Sequence, residues 1–430
     1  MNFRVLFIGA FAVSVAAANP NSQAPAAATS SVALTLDEAI RLAWERDPQV
    51  EALALAPQLA AARELQAGLG PNPQIELSSA LPLDDQSEWM LGLSVSRQIP
   101  RRERLALARA YARIGGEAAP LELRARRRTL ADEIRQLWYA AALQRAKVEF
   151  AERALAFQAE LSRIISARRE AGEIGEDEWH FSALELARAE QALAFARAEA
   201  AAARAPLHAR LRLPESSPAP DLKLALGALL AAPQPSAKTL SENTPQLALA
   251  ELEIRQAQAA LNLARSESRG DWSIGTGVEF ERRANDATGR LANEPRLTLS
   301  TSAPWPARQG RAPNRGTIAE REAALRIAEA QARALRDEWR AQARSALATA
   351  QALQPQVLRY QELCERSATE LPQRLRALHE RGELPLFALA QARQQQREIE
   401  AEFFSAAERY LNARAEVVRF TATDLAETDI

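Results

Sequence analysis

EWMLGLSVSRQIP, residues 88 to 100, alternates in a way its surroundings do not. Trp89, Leu91, Leu93 and Val95 are apolar, while Gly92, Ser94, Ser96 and Gln98 between them are small or polar. That is period two, the pattern of a strand with one apolar face. On either side the chain is rich in Ala, Arg, Glu, Gln and Leu, residues that favour long helices. A strand inside so helical a sequence needs a partner.

The partner comes from repetition, because the chain is written twice. Asp47-Pro48-Gln49 returns as Thr244-Pro245-Gln246, an offset of 197, and Ile75-Glu76-Leu77 falls on Trp272-Ser273-Ile274 at the same offset. The opening stretch returns as EPRLTLSTSAPWP, residues 294 to 306, at an offset of 206. Glu170-Ala171-Gly172-Glu173-Ile174 meets Glu380-Arg381-Gly382-Glu383-Leu384 at 210. The first change of offset falls between paired strands, where a loop absorbs it. The second is about one helical turn and leaves an apolar seam facing the same way.

The expected organisation follows. Residues 34–213 form a first repeat with strands near 73–81 and 89–98, and residues 241–420 a second with strands near 271–280 and 295–303. A Pro-rich segment, 214–240, joins them, DLKLALGALL within it being able to form a short helix, and 421–430 is a tail. Each repeat reads helix, two strands, a very long helical region, a glycine break and a return helix. In the first repeat these are Pro48 to Gly70, the two strands, 102 to 171, Gly172, and 176 to 212. Pro57 predicts a kink or a late start in the first helix, and Gly115-Gly116 with Pro120 predicts an interruption of the long one. The long region would extend about 105 Å, nearly matched by the two shorter helices laid end to end. That is a tall helical wall. Its helices need two narrow seams of small residues each, as in LARAEQALAFARAEAAAARA from Leu186 to Ala205.

The extreme N-terminus has a short basic region, an apolar run from Val5 to Val15 and Ala16-Ala17-Ala18 as a cleavage site, so residues 1–18 are expected to be a signal peptide. No cysteine lies near that site to carry a lipid anchor, and no later apolar run is long enough for a transmembrane helix. The net charge of -1, with basic residues dispersed, argues against nucleic acid as a partner. One cysteine, Cys364, excludes an internal disulfide and is expected to pack as a small apolar residue. His180, His208 and His379 are scattered without ligand partners. No nucleophile–base pair, phosphate-binding glycine loop or metal spacing is present, so neither catalysis nor a cofactor or metal is expected.

All four strands alternate, and each is long enough to cross an outer membrane when tilted. Leu91, Leu93, Ile274, Leu297 and Leu299 are the expected lipid-facing residues, with Trp89, Trp272 and Trp305 at or just beyond strand ends. Four strands cannot close a barrel, so a membrane role demands oligomerisation.

LTLDEAIRLAWERDPQVEAL (Leu34 to Leu53), GLGPNPQIELS leading into the first strand, the duplicated helix–hairpin–helix plan and RGELPLFALAQARQ (Arg381 to Gln394) together resemble the TolC-like outer-membrane factors over nearly the whole mature chain. PNPQIELS is most similar to the heavy-metal-efflux branch. The resemblance implies a mainly α fold with a small β part. It further implies a homotrimer in which three chains build a twelve-stranded outer-membrane barrel continued by a long α-helical periplasmic tunnel. The function so implied is the passive exit duct of a tripartite efflux system, with metal cations as one class of cargo. Its partners would be a periplasmic adaptor, an inner-membrane pump and outer-membrane lipid. The alternatives are the exit duct of a type I protein secretion system and a soluble periplasmic coiled-coil scaffold or adaptor.

Two features locate candidate sites. Gly172 and Gly382 end long helices and suit tight hairpin turns; with Ile174 and Leu384, expected to lie uncovered at the tips, they are the candidate adaptor-docking residues. The Asp pair that some relatives carry after the second break is missing here. Glu173, Glu176 and Asp177 follow the first break instead; they suit a helix start and are the candidate pore constriction.

Overall fold

The computed structural model describes residues 33–80, 89–214, 221–222, 226–233, 240–267, 269–284, 291–303, 314–381 and 386–421. In chain order these form β1 (Ala33–Leu34), α1 (Leu36–Arg46), α2 (Pro48–Ala67), β2 (Gln74–Ala80), β3 (Trp89–Ile99), α3 (Arg102–Gly116), α4 (Ala118–Glu170) and α5 (Glu176–Arg210). There follow β4 (Asp221–Leu222), α6 (Leu226–Ala231), α7 (Pro245–Glu267), β5 (Trp272–Ala284), β6 (Leu291–Ser302), α8 (Arg315–Glu380) and α9 (Leu386–Arg419). The protein is mainly helical with a small strand part. The signal-peptide stretch, residues 422–430, Trp305, Gly382 and Leu384 lie outside the described residues.

Local chemistry explains the helix boundaries. Thr35 and Glu38 form a reciprocal capping box that starts α1, a helix additional to the one expected from Pro48 onward. Asp47 ends α1 and caps α2 by accepting from the Gln49 N–H at 2.9 Å, with Pro48 in the first turn where its missing N–H costs nothing. The start of α2 is therefore not late: Pro57 lies inside a helix whose origin Asp47 and Pro48 set. The long region does divide, after Gly115-Gly116, at Glu117; Pro120 falls in the first turn of α4, where no intrahelical N–H bond is required. α4 has 53 residues and α8 has 66, about 80 Å and 99 Å long. None of the described helices is long and apolar enough to cross a membrane.

β2, β3, β5 and β6 form one antiparallel sheet in that order. The helices attached to its base keep the same sequence: α2 packs on α3, α3 on α7 and α7 on α8. Lower down, α5 runs along α4 and α9 along α8. Arg–Glu pairs lace the lateral seams: Arg109 to Glu64 between α3 and α2, Arg265 to Glu322 between α7 and α8, and Arg336 to Glu251 between the same two helices. Exposed pairs of this kind each contribute at most about 1 kcal/mol, so they set register more than stability.

The apolar core lies where α1, α4, α6, α8 and α9 converge. Ile40, Leu130, Ile134, Trp138, Val357, Phe403, Tyr410 and Leu411 are among its fully buried members. Leu226, Leu229 and Leu230 of α6 plug into it, so the segment between the halves includes a packed helix. Cys364 is fully buried in this core, and burial pushes its thiol up to about 12.

Asp47 ties the top of the core together. Its side chain is buried, caps α2 and accepts a hydrogen bond from Arg126 of α4 at 2.5 Å. Burial pushes its carboxyl upward, but the Gln49 N–H, the Arg126 guanidinium and the charge of Arg210 together hold it below the usual carboxylate range. The stability this supplies is present above about pH 4 and is lost as pH falls through the lowered folded value. Asp47→Asn keeps a cap acceptor but leaves Arg126 without its counter-ion, at an expected cost of about 1–3 kcal/mol near neutrality. Thermal melting of both proteins from pH 7 to pH 3 should show the gap closing toward acid. A gap that stays constant with pH would assign the cost to packing.

Candidate functional site

The pairing register sorts the sheet into two faces. Leu77, Leu93, Val278 and Leu297 form one row across all four strands; Ile75, Val95, Thr276 and Leu299 form the next. Leu91 and Phe280 continue the same face on one side and Ile274 on the other. These large side chains are bare even on the central strands, with Leu93 54% and Phe280 49% exposed, and Leu297 at the edge 77% exposed. Opposite rows hold Glu76, Ser94, Gly277 and Thr298, then Gln74, Ser96, Gly275 and Ser300. A soluble sheet of this kind would carry the apolar face against its own core. Here nothing among the described residues covers that face.

The polar face is the crowded one. A Cβ on Gly277 would lie 2.9 Å from the Ser94 Cβ and 3.0 Å from the Thr298 Oγ1; on Gly275 it would lie 2.7 Å from the Ser300 Oγ. Directly opposed Cβ atoms in an antiparallel pair are ordinarily about 4.5–5.5 Å apart. Strands crowd on this side because the sheet curls toward it, and Gly92, Gly275 and Gly277 leave the room. Sequence reading saw these glycines only as the small partners in an alternation. The curl they permit depends on strands that are distant in sequence.

Leu91, Leu93, Ile274, Leu297 and Leu299, the expected lipid-facing residues, lie exposed on the apolar face. Both edges of the sheet, β2 and β6, lack a neighbour among the described residues.

At the opposite end of α4 the chain turns at Gly172, whose φ of +76° is the left-handed conformation glycine favours. The Gly172 N–H donates to the Arg169 carbonyl at 2.9 Å and the Glu173 N–H to the Arg168 carbonyl at 2.9 Å, a Schellman closure. Gly175 then caps α5, whose first turn holds Glu176, Asp177 and Glu178. Ile174, expected to be uncovered, is half-buried and packs against Leu161 and Ile165 with Trp179 and Phe181. The cause is the short connection, which folds Ile174 back onto α4 instead of pointing it away.

The three candidate constriction residues are exposed but not equivalent. Glu173 pairs with Arg168 at 3.6 Å, and Glu176 with Arg169 at 2.7 Å; the Arg169 guanidinium also lies over the Trp179 ring. Asp177 has no ion-pair partner among the described residues. Two of the three negative charges are thus balanced within their own chain, which no spacing rule in the sequence would have revealed.

Midway along the wall, Glu185 of α5 accepts from Arg188 at 2.5 Å and from Arg397 of α9 at 3.0 Å. It borders a cavity of about 600 Å³ between α4, α5 and α9, lined also by Phe150, Arg393 and Phe404. Among the described residues no cluster of His, Cys, Asp and Glu could hold a metal ion.

No protein-family model matches the chain. No curated protein sequence matches it. Solved structures do. CusC, described in terms of folding and transmembrane channel formation, is 17% identical, with 90% of this chain and 92% of that one aligned at a TM-score of 0.69. The MtrE outer-membrane channel of Neisseria gonorrhoeae in its open state is 16% identical over 92% and 93% of the two chains, at 0.68. The CmeC outer-membrane channel of Campylobacter jejuni is 15% identical over 90% and 87%, at 0.65. The chain has the fold of the TolC-like outer-membrane channels.

Proposed function

We propose that this protein is the outer-membrane exit duct of a tripartite efflux system: a passive conduit, not an enzyme, embedded in the outer membrane and extending into the periplasm. The observation that carries the reading is the bare apolar face of a curled sheet whose crowded side is polar. In lipid, such a sheet buries its outer face and waters its inner one, as a transmembrane barrel does. A soluble scaffold would leave the same face in water.

Closure requires other copies of the chain, because a sheet edge cannot stand unpaired in a bilayer. Strands and helices end at the same two sides: β2 with α2, and β6 with α8. On the outer sides, Leu55, Leu59 and Leu65 of α2, Leu69 just after it, and Ile327 of α8 are exposed. A homotrimer joins each β6–α8 side to the next β2–α2 side, giving twelve strands above one helical tunnel. Duplication of one unit, residues 34–213 and 241–420, supports this ring of similar parts. The heavy-metal branch, and metal cations as cargo, rest on PNPQIELS alone.

The far tips then face the periplasm. Gly172 with Ile174, and Gly382 with Leu384, would dock an adaptor that links the duct to an inner-membrane pump. Ile174 contributes there through the turn it anchors more than through bare surface. Glu173, Glu176 and Asp177 would ring the periplasmic opening, with Asp177 supplying most of the uncompensated charge.

Three measurements test this. Leu93→Arg should abolish assembly in outer membranes, an Arg near mid-bilayer costing about 2–4 kcal/mol per chain, whereas Ser94→Arg should be tolerated in the watered lumen. Equal defects would sink the barrel assignment. Gly172→Val should strain the turn yet leave trimer and insertion intact, while cross-linking to the co-encoded adaptor and export both fall. Normal export would place the docking elsewhere. In single-channel recordings, Asp177→Asn should reduce cation preference more than Glu176→Gln, and more strongly at low salt. The reverse order would show that the Arg169 pair is not maintained in the assembled duct.

A further inference from the structure

Among the described residues of the bare apolar face, charge appears only near its two ends, at Arg97 and Arg282, with one further row, Ile99 and Trp272, beyond Arg97 toward the helices. The register places Arg97 on the same face as Leu93 and Val95, directly opposite Ile274 and one diagonal step from Trp272. At the other end Arg282 lies opposite Trp89 and Asn293. The rows of Arg97 and Arg282 are separated by about 27 Å along the strands at the usual rise per residue. Tilted as barrel strands are, that spans about 21 Å of membrane thickness, close to the apolar band of an outer-membrane barrel. An arginine on a lipid-facing position is costly at mid-band and nearly free at its edge. Arg97 therefore marks the edge of the band nearest the helices.

Its neighbours at that edge are already engaged. Arg101 donates to the Gly270 and Arg269 carbonyls, Arg104 pairs with Asp271 at 2.5 Å, and Arg269 pairs with Glu103 at 3.1 Å. Arg97 is exposed, and among the described residues no carboxylate pairs with it. A guanidinium held at the polar boundary of an apolar face, beside an interfacial tryptophan and without an internal counter-ion, is matched in charge and geometry by a phosphate.

We propose that Arg97 docks the phosphate of an anionic phospholipid in the periplasmic leaflet, with Trp272 against the lipid's glycerol region. The inference rests on the membrane-spanning reading above and adds a specific lipid site to it. One such site per chain would give three around the barrel, anchoring its depth where barrel and helices meet.

The test uses the full-length assembly in nanodiscs holding equal phosphatidylglycerol and phosphatidylcholine of matched acyl chains, with retained lipid identified by native mass spectrometry. The unaltered protein should retain phosphatidylglycerol over phosphatidylcholine by about fivefold. Arg97→Lys should keep most of that preference, and Arg97→Leu should abolish it while still inserting. Millimolar inorganic phosphate should leave the preference intact; its loss there would show a free-anion site and overturn the lipid assignment. Insertion with equal retention by the unaltered protein and Arg97→Leu would also overturn it, leaving the barrel untouched. Failure of every form to enter the nanodisc would overturn both readings together.

Discussion

A sheet with two unpaired edges and one bare apolar face is unstable in water, where apolar side chains are exposed, and unstable in lipid, where edge amides go unsatisfied. The second problem has one solution, which is closure. Everything else in the molecule is arranged so that closure can occur. The polar face carries Gly92, Gly275 and Gly277 where strands crowd, so the sheet can curl. The strand order β2-β3-β5-β6 leaves its edges on the outer sides, and the helix order repeats it. A single geometric decision made in the sheet is thus inherited by the helices below, and the proposed trimer satisfies both layers with one contact.

The helical wall meets a different demand. In the proposed ring each helix would have neighbours on two sides and water on the others, which leaves no place for a broad apolar stripe. Small residues do the packing instead: Ala131, Ala141, Ala142 and Ala146 on α4, and Ala332, Ala343, Ala346 and Ala350 on α8. Large side chains concentrate at one level, around Trp138, Phe403 and Tyr410, where α1 and α6 thicken the wall into a true core. The buried Asp47–Arg126 pair fastens that level to the α1–α2 corner. Rigidity at mid-height and thin seams toward the tip suit a duct fixed at the membrane and engaged at its far end.

Charge is used sparingly at the tip. Glu173 and Glu176 look alike in sequence to Asp177, yet arginines one and two turns away neutralise the first two. Selectivity at the proposed opening would therefore depend on which carboxylates the turn leaves unpaired, and less on how many there are.

The sequence by itself determined the alternating strands, the glycine turn and the long helices, because each is written in residues a few positions apart. Period two in 89–99 and Gly172 after a helix are local patterns whose physics needs no distant partner. The apolar face followed too, since parity along a strand assigns every side chain at once. What tertiary structure decided were relations between distant segments. The curl toward the polar face depends on Ser94, Gly277 and Thr298 meeting from three strands. The covering of Ile174 depends on Leu161 and Ile165 across a hairpin. Register alone places Arg97 beside Ile274 and Trp272, on a largely apolar face, with its neighbouring arginines already engaged. Spacing encodes which way a side chain points; only packing decides what it meets.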